Sequence, residues 1–142
     1  MDYKVDDLDQ SILTALKGNA RETFAKIGRE VGLTAPAVAQ RIQKMESAGI
    51  IKGYEVTLDQ VKLGNDIAAM ITLKCPYGKI QAFAKQLATF SEIEQCLRVT
   101  GEDCVVLHAL LRNNQHLVEL LERLAEYGES KTAIILKDML AD

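Results

Sequence analysis

The sequence predicts an α+β fold that joins a helical N-terminal half to a C-terminal half of alternating strands and helices. Up to residue 50, apolar residues recur at the spacing of one helix face. Beyond residue 66, strand-like and helix-like stretches follow in the order β-α-β-β-α-β, which is typical of ferredoxin-like domains. The 142 residues suffice for two small domains. We assign 1–54 to a winged helix-turn-helix domain, 55–65 to a linker and 66–142 to a second domain.

The first two predicted helices have clear ends. The apolar row of the first consists of Leu8, Ile12 and Leu16. Gly18 and Asn19 stop this helix, and Thr23 is the predicted N-cap of the second. Gly32 ends the second helix, because glycine enters the left-handed conformation without a Cβ clash.

The third predicted helix completes a helix-turn-helix. Thr34 is its expected N-cap and Pro36 lies in its first turn, where a missing N–H costs nothing. Its core row consists of Val38, Ile42 and Met45. Gly49 ends it, and the β-rich segment Ile50–Tyr54 is expected to form a wing.

In a helix-turn-helix the second helix of the motif enters the major groove. The residues expected to contact DNA are Thr34, Pro36, Ala37, Gln40, Arg41 and Lys44. Gln40 suits an adenine edge, whereas Arg41 and Lys44 suit guanine or phosphate. The alternative is a solvated face of a three-helix module.

The charge distribution decides between a nucleic-acid partner and none. The net charge of −3 argues against DNA, since DNA-binding domains usually carry a basic excess. Between Lys17 and Gly53, however, seven basic residues face three acidic ones, a local charge of +4. Such a weakly basic module makes few phosphate contacts, so we expect several copies on one double-stranded DNA and therefore an oligomer.

The second half predicts a four-stranded antiparallel sheet with two helices on one face. The predicted strands are Ile67–Lys74, Ile93–Val99, Cys104–Leu111 and Thr132–Leu136. One helix spans Lys79–Thr89, and another begins after Asn113 or Asn114 and is closed by Gly128. The third and the last predicted strands carry apolar residues on both faces, so we expect a homodimer through the free sheet face. Alternatively, the N-terminal helices cover that face.

No catalytic, metal or membrane signature accompanies these elements. Cys75, Cys96 and Cys104 lack metal-ligand spacing and are expected to be reduced thiols, with no metal and no cofactor. His108 is expected to be a satisfied buried histidine and His116 a solvated one. The acidic N-terminus and the short apolar stretches predict a soluble cytoplasmic protein without a signal peptide.

The sequence resembles the Lrp/AsnC, or feast/famine, transcription regulators of prokaryotes. The stretches that carry the resemblance are Leu8-Asp9, Ile27-Gly28, Val31-Gly32-Leu33-Thr34, Arg41-Ile42, Met45-Glu46, Gly49–Tyr54, Val99-Thr100-Gly101, Tyr127-Gly128 and Ile134-Ile135-Leu136. The resemblance implies a C-terminal effector domain called RAM, dimers through the RAM sheets, and assembly into octamers. It also implies a nucleoid-associated protein that binds an amino acid between dimers.

The effector residues that the resemblance implies are Thr100, Gly101, Glu102, Asp103, Cys104, Thr132, Ala133 and Ile134. Many effector-binding members carry Asp where this chain has Cys104, and a thiol does not replace a carboxylate against an ammonium. Three alternatives follow: Asp103 takes over, the specificity differs, or the site is silent.

The sequence therefore predicts a sequence-specific DNA-binding transcription regulator modulated by an amino acid. The alternative is an ACT-like small-molecule-sensing module that acts on a protein partner. An enzyme is the weakest option, because no paired-carboxylate, Cys/His, P-loop or dinucleotide pattern is present. Steep salt dependence of DNA binding favours the regulator over the sensing module.

Overall fold

The computed structural model describes residues 2–141, which divide into two units at the boundary between Thr57 and Leu58. The boundary falls within the segment assigned to the linker. Each unit has its own apolar core. Each is therefore described by itself.

The first unit consists of three helices around a small core. They are α1 (Asp7–Gly18), α2 (Phe24–Val31) and α3 (Ala35–Ser47). The buried apolar side chains at their centre are Ile12, Leu16, Ile27, Val38, Ile42 and Met45. Each such side chain contributes roughly 1.5–3 kcal/mol when it leaves water, which holds the three short helices together.

The turn between α2 and α3 has the caps that the sequence predicted. Thr34 accepts a hydrogen bond from the Ala37 amide at 3.3 Å, and Gly32 has a left-handed φ of 78°. Gly28 allows the close approach of α2 to this turn, since a Cβ there would lie 2.3 Å from the Leu33 carbonyl oxygen. The turn geometry fixes the direction in which α3 leaves α2.

Two expectations for this unit are wrong. The wing is absent among residues 2–57: the amides of Ile50 and Ile51 bond to the Met45 carbonyl at 2.9 and 3.2 Å and extend the cap of α3. A strand there also needs a hydrogen-bonding neighbour, which the helices do not offer. In α1 the fully buried row contains Asp9 in place of Leu8, which is only half-buried.

The second unit is a four-stranded antiparallel sheet with two helices, as predicted. Its strands are β1 (Ile67–Lys74), β2 (Ile93–Arg98), β3 (Val105–Leu111) and β4 (Glu129–Ile134). Its helices are α4 (Lys79–Gln86), continued by one 3₁₀ turn over Leu87–Thr89, and α5 (Asn114–Leu124). The spatial order β2-β3-β1-β4 is that of a ferredoxin-like domain.

The two faces of the sheet differ in their cover. One face packs against the helices around Ile71, Leu107 and Leu120, which are fully buried. Phe83, Phe90 and Tyr127 close this core, with ring centroids 5.3–6.3 Å apart. On the other face Met70 lies between His108 and Ala133 in the register, and Val106 lies between Thr72 and Leu97. That face carries no helix of the second unit.

Gly128 has a different role from the predicted one. Helix α5 ends at Leu124, so Gly128 does not close it. A Cβ at Gly128 would lie 2.2 Å from the Lys74 carbonyl oxygen, and only glycine permits this approach to β1. The last strand is correspondingly earlier than predicted. Pairing with β1 begins at Glu129, and Leu136 lies beyond the strand and is exposed.

Candidate DNA interface and effector site

Helix α3 presents most of the predicted reading residues to solvent. Pro36, Gln40 and Lys44 are exposed, Ala37 is half-buried, and Thr34 is exposed as the N-cap. Small residues at the start of α3 leave its backbone accessible. The start of α3 is therefore open to solvent, a condition that a helix entering a major groove must meet.

A shallow groove of about 430 Å³ runs along the same face of α3. Its lining residues are Tyr3, Gln40, Gln43, Lys44, Ser47 and Ala48. Amide, hydroxyl and ammonium groups stand side by side here. Such groups serve both base edges and phosphate oxygens.

Arg41 differs from the other predicted reading residues because acidic side chains of the same unit hold it. Its Nη1 lies 2.8 Å from Asp6 Oδ2 and 2.9 Å from Asp9 Oδ1, and the side chain is 27% exposed. These bonds raise the pKa of the Arg41 guanidinium above its ordinary value. The guanidinium is thus engaged inside the domain, between α1 and α3.

Asp9 is the buried centre of this network. Its Oδ2 accepts hydrogen bonds from the Tyr3 hydroxyl at 2.9 Å and from the Asp6 amide at 3.1 Å. The Asp9 amide in turn donates to Asp6 Oδ1 at 2.8 Å, which completes a capping box at the start of α1. This amide bond and Arg41 lower the pKa of Asp6, whereas partial burial and the bond to Asp9 raise the pKa of Tyr3.

The sequence reasoning missed this network, although one signal was available. Asp9 lies three residues before Ile12 and seven before Leu16, in the row that faces the core. A buried carboxylate requires a cation and hydrogen-bond donors. Arg41, on the flank of α3, is the residue that meets this requirement.

The predicted effector loop connects β2 and β3. Gly101 has φ 106°, a conformation that favours glycine, and it exposes the surrounding backbone. Asp103 Oδ2 accepts a hydrogen bond from Lys131 Nζ at 3.1 Å, which raises the pKa of Lys131. Glu102 lies 3.6 Å from Lys74. The loop therefore reaches across the end of β1 to β4.

The β4 members of the predicted site lie beside this contact. Thr132, Ala133 and Ile134 directly follow Lys131 and are exposed on an edge strand. Cys104 is half-buried, directly precedes β3 and packs against the core. The structure thus joins the loop to β4 through Asp103 and Lys131, next to the predicted residues of the strand.

The three cysteines lie in the second unit and are each half-buried. Cys75, Cys96 and Cys104 are free thiols, and burial raises the pKa of Cys75 and Cys96. Within the described range 2–141, no group of three or more His, Cys, Asp or Glu side chains is placed so that it could hold a metal ion. No helix of this part of the chain is both long and apolar enough to cross a membrane.

Both histidine expectations need correction. His108 is half-buried on the free sheet face, 3.6 Å from Glu94, because that face lacks a covering layer in the second unit. His116 is only 11% exposed, and its ring bonds to Glu92 and to the Arg112 amide. Its ring turns inward from the start of α5, so it is not solvated.

Comparisons with known proteins agree with both units. Residues 5–46 match the AsnC-type helix-turn-helix domain, and residues 68–142 match the Lrp/AsnC ligand binding domain. The HTH-type transcriptional regulator Rv2324 of Mycobacterium tuberculosis is 34% identical over 142 residues, covering 96% of this chain and 95% of the relative.

Two solved structures are similar along nearly the whole chain. LrpC of Bacillus subtilis superposes with a TM-score of 0.91 at 26% identity, covering 99% of this chain and 100% of that one. The feast or famine regulatory protein Rv3291c of M. tuberculosis, complexed with L-methionine, gives a TM-score of 0.87 at 26% identity, with coverages of 98% and 97%.

These matches and the geometry of α2 and α3 agree on a DNA-binding transcriptional regulator that carries a ligand-binding domain. The chain belongs to the Lrp/AsnC family.

Proposed function

We propose that the chain acts as a homodimer, assembled further into an octamer, that reads double-stranded DNA through α3 and responds to an amino acid bound at the β2–β3 loop. The observation that carries the proposal is the sheet face of the second unit, which no helix of that unit covers and which exposes apolar side chains. The proposed function involves no catalysis by the chain. We place this function in the cytoplasm, at the nucleoid.

The free sheet face supports the dimer. Met70 is 38% exposed and Leu97 is 46% exposed, although both lie on a sheet surface among Val106 and His108. An apolar sheet face of this kind favours burial against a second copy, and a two-fold axis lets the same face serve both chains.

The charges of the first unit support the need for several copies. Arg41 is neutralised by Asp6 and Asp9, and Lys26 is paired with Glu22 at 2.8 Å. Five of the seven basic residues between Lys17 and Gly53 therefore remain for phosphates. A single unit would bind DNA weakly, and linked units would bind strongly through their raised effective concentration.

Within α3 we assign Gln40 and Lys44 to groove contacts, with Thr34, Pro36 and Ala37 at the helix start against the DNA. Arg41 becomes a positioning residue that fixes α3 against α1. An Arg41→Gln variant should then lose affinity for all sequences alike. A base-reading Arg41 would instead lose discrimination at one base pair.

The ion pair between Asp103 and Lys131 supports an effector site at the loop. A bound amino acid can offer its ammonium to Asp103 and its carboxylate to Lys131 and to the exposed amides near Gly101. Asp103 then supplies the negative charge that Cys104 lacks. The L-methionine complex of Rv3291c supports an amino acid as the ligand class.

Two measurements on the full chain test the oligomer. Sedimentation of wild type should give a dimer or larger species, whereas Met70→Asp/Leu97→Asp should give the 15.7 kDa monomer. Val118→Asp is the matched control, because Val118 is an equally exposed apolar residue on α5. A monomeric wild type, or an unaffected double variant, would refute the sheet dimer.

The effector site is tested by thermal shift with the twenty amino acids. A ligand at 100 times its Kd adds about 2.7 kcal/mol of stability. Asp103→Asn should abolish that gain, and Gly101→Trp should change assembly or effector response while leaving the dimer intact. A stabilising amino acid whose effect survives both variants would move the effector elsewhere.

A further inference from the structure

The Arg41 guanidinium uses only one of its nitrogens inside the first unit. Its Nη1 lies 2.9 and 2.8 Å from the two carboxylate oxygens of Asp6 and 2.9 Å from Asp9 Oδ1. A guanidinium also carries N–H donors on Nε and Nη2. Neither of these two nitrogens of Arg41 donates a hydrogen bond within residues 2–141. One edge of the guanidinium is therefore held by acidic side chains, and the other edge still has its donors to offer.

This free edge belongs to a side chain that reaches solvent on the flank of the reading face. The Arg41 side chain is 27% exposed. Ala37 and Lys44 lie one turn before and one turn after Arg41 in α3, so they are its neighbours on the helix surface. Both are assigned above to the contact with DNA. A cation on the flank of a helix in the major groove is placed to meet the phosphates that border the groove.

The two carboxylates on Nη1 differ in what the fold requires of them. The Asp9 side chain is 1% exposed, and a buried carboxylate needs a cation. The Asp6 side chain is 51% exposed, and an exposed ion pair contributes little to stability. Asp6 is also the N-cap of α1, but an uncharged Asn caps a helix equally well. Folding thus explains the contact between Arg41 and Asp9 and leaves the negative charge of Asp6 without a structural requirement.

That negative charge opposes a phosphate on Arg41. With Asp6 and Asp9 both on Nη1, the three side chains together carry a net charge of −1. A phosphate oxygen at the free edge lies within about 10 Å of both carboxylates, which is about one Debye length at 0.1 M salt. Without the charge of Asp6, the same phosphate would meet a neutral pair of Arg41 and Asp9.

We propose that Arg41 contacts a DNA phosphate through Nε and Nη2 while Nη1 stays on Asp9, and that the Asp6 carboxylate weakens this contact. The inference rests on the proposed reading of DNA by α3 and adds a DNA contact to the positioning role of Arg41. Asp6 lowers the affinity for every duplex alike, because a phosphate contact carries no sequence information. A single unit is thereby kept weak, and stable occupancy depends on several linked units.

The first test compares Asp6→Asn with wild type in the full chain. Binding is measured by fluorescence anisotropy on a labelled mixed-sequence duplex of about 30 base pairs at about 100 mM salt. We expect Kd to fall about fivefold, the upper end of what an exposed ion pair contributes. Asp7→Asn is the matched control, because Asp7 is the next residue, is exposed and makes no ion pair within the described residues. Its Kd should fall by less than about twofold.

The second test uses Arg41→Lys, which keeps a positive charge for Asp9 but lacks the free edge of the guanidinium. The slope of log affinity against log salt should decrease by about 0.9 per subunit. In this background Asp6→Asn should lose most of its effect, as expected for two residues that act through one contact. Calorimetry checks that the helical unit of each variant is folded. A purely positioning Arg41 would leave the salt slope unchanged.

The outcomes separate this inference from the reading of DNA by α3. The inference is overturned if Asp6→Asn tightens binding no more than Asp7→Asn does, or if its gain persists in Arg41→Lys. A salt slope that changes in Lys44→Ala but not in Arg41→Lys would retain the DNA reading and remove Arg41 and Asp6 from it. Absence of DNA binding by the wild type would overturn both.

Discussion

Removal of the buried Asp9 carboxylate should destabilise the DNA-reading unit more than any exposed acidic substitution. Asp9 is fully buried and accepts hydrogen bonds from Tyr3, from the Asp6 amide and from Arg41. A hydrogen bond to a charged group contributes about 1.5–3 kcal/mol, and breaking a buried ion pair costs about 3–5 kcal/mol. Because Asp9→Ala also removes the desolvation cost of the carboxylate, we expect the free energy of unfolding of the helical unit to fall by about 3 kcal/mol.

This loss should be visible as a shift of one thermal transition. Domains of this size lose roughly 4–8 °C in Tm for each kcal/mol, so the helical unit should melt about 12–24 °C earlier. Differential scanning calorimetry of the full chain should show this shift while the transition of the second unit stays in place.

Asp7→Ala provides the matched control. Asp7 is also in the first turn of α1 but is exposed, so its loss removes only a dipole interaction of about 0.3–1 kcal/mol. Equal Tm values for Asp9→Ala and Asp7→Ala would refute the assignment of Asp9 and Arg41 as the link between α1 and α3.

Three further predictions concern packing, pH and DNA. Gly128→Ala should lower the Tm of the second unit by several degrees because its Cβ has no room, whereas Gly18→Ala, with open space around it, should not lower stability; equal calorimetric effects would contradict the close approach. The pKa of Asp6 is lowered in the folded state, so its stabilisation is present above the ordinary value of 3.8 and is lost as the pH falls through the folded pKa. The free energy of unfolding of the helical unit should therefore depend less on pH in the acid range in Asp6→Asn than in wild type. An identical acid-unfolding profile for the two proteins would contradict this. Lys44→Ala should reduce the slope of log affinity against log salt by about 0.9 per subunit, while the exposed Lys85→Ala on α4 should not; identical slopes would remove Lys44 from the interface.

Local signals in the sequence were enough for most of the architecture. β1 was predicted with its observed bounds, and the caps at Thr23 and Thr34 and the left-handed Gly32 follow from single-residue preferences. These features depend on neighbours within a few residues. The same holds for the order of strands and helices in the second unit.

The absent wing is a local failure, since Ile50 and Ile51 bond to Met45, but the other failures discussed next involve contacts between distant parts of the chain. Arg41 is held by Asp9, 32 positions away, and His116 turns inward to Glu92, 24 positions away. Gly128 is required by its close approach to the Lys74 carbonyl of β1, and it does not cap α5. A periodic pattern predicts which face of a helix is apolar. It does not predict which polar side chain at the edge of that face pairs with a buried charge on another helix.

The central claim is that a weakly charged reading unit gains its DNA affinity from a dimer formed through the free sheet face. The most direct measurement is selection of bound duplexes from a random library by wild type and by Met70→Asp/Leu97→Asp. Wild type should select paired half-sites about 10 base pairs, or a multiple, apart, and the double variant should lose this enrichment. Selection of single half-sites by wild type, or equal enrichment by both proteins, would contradict the account.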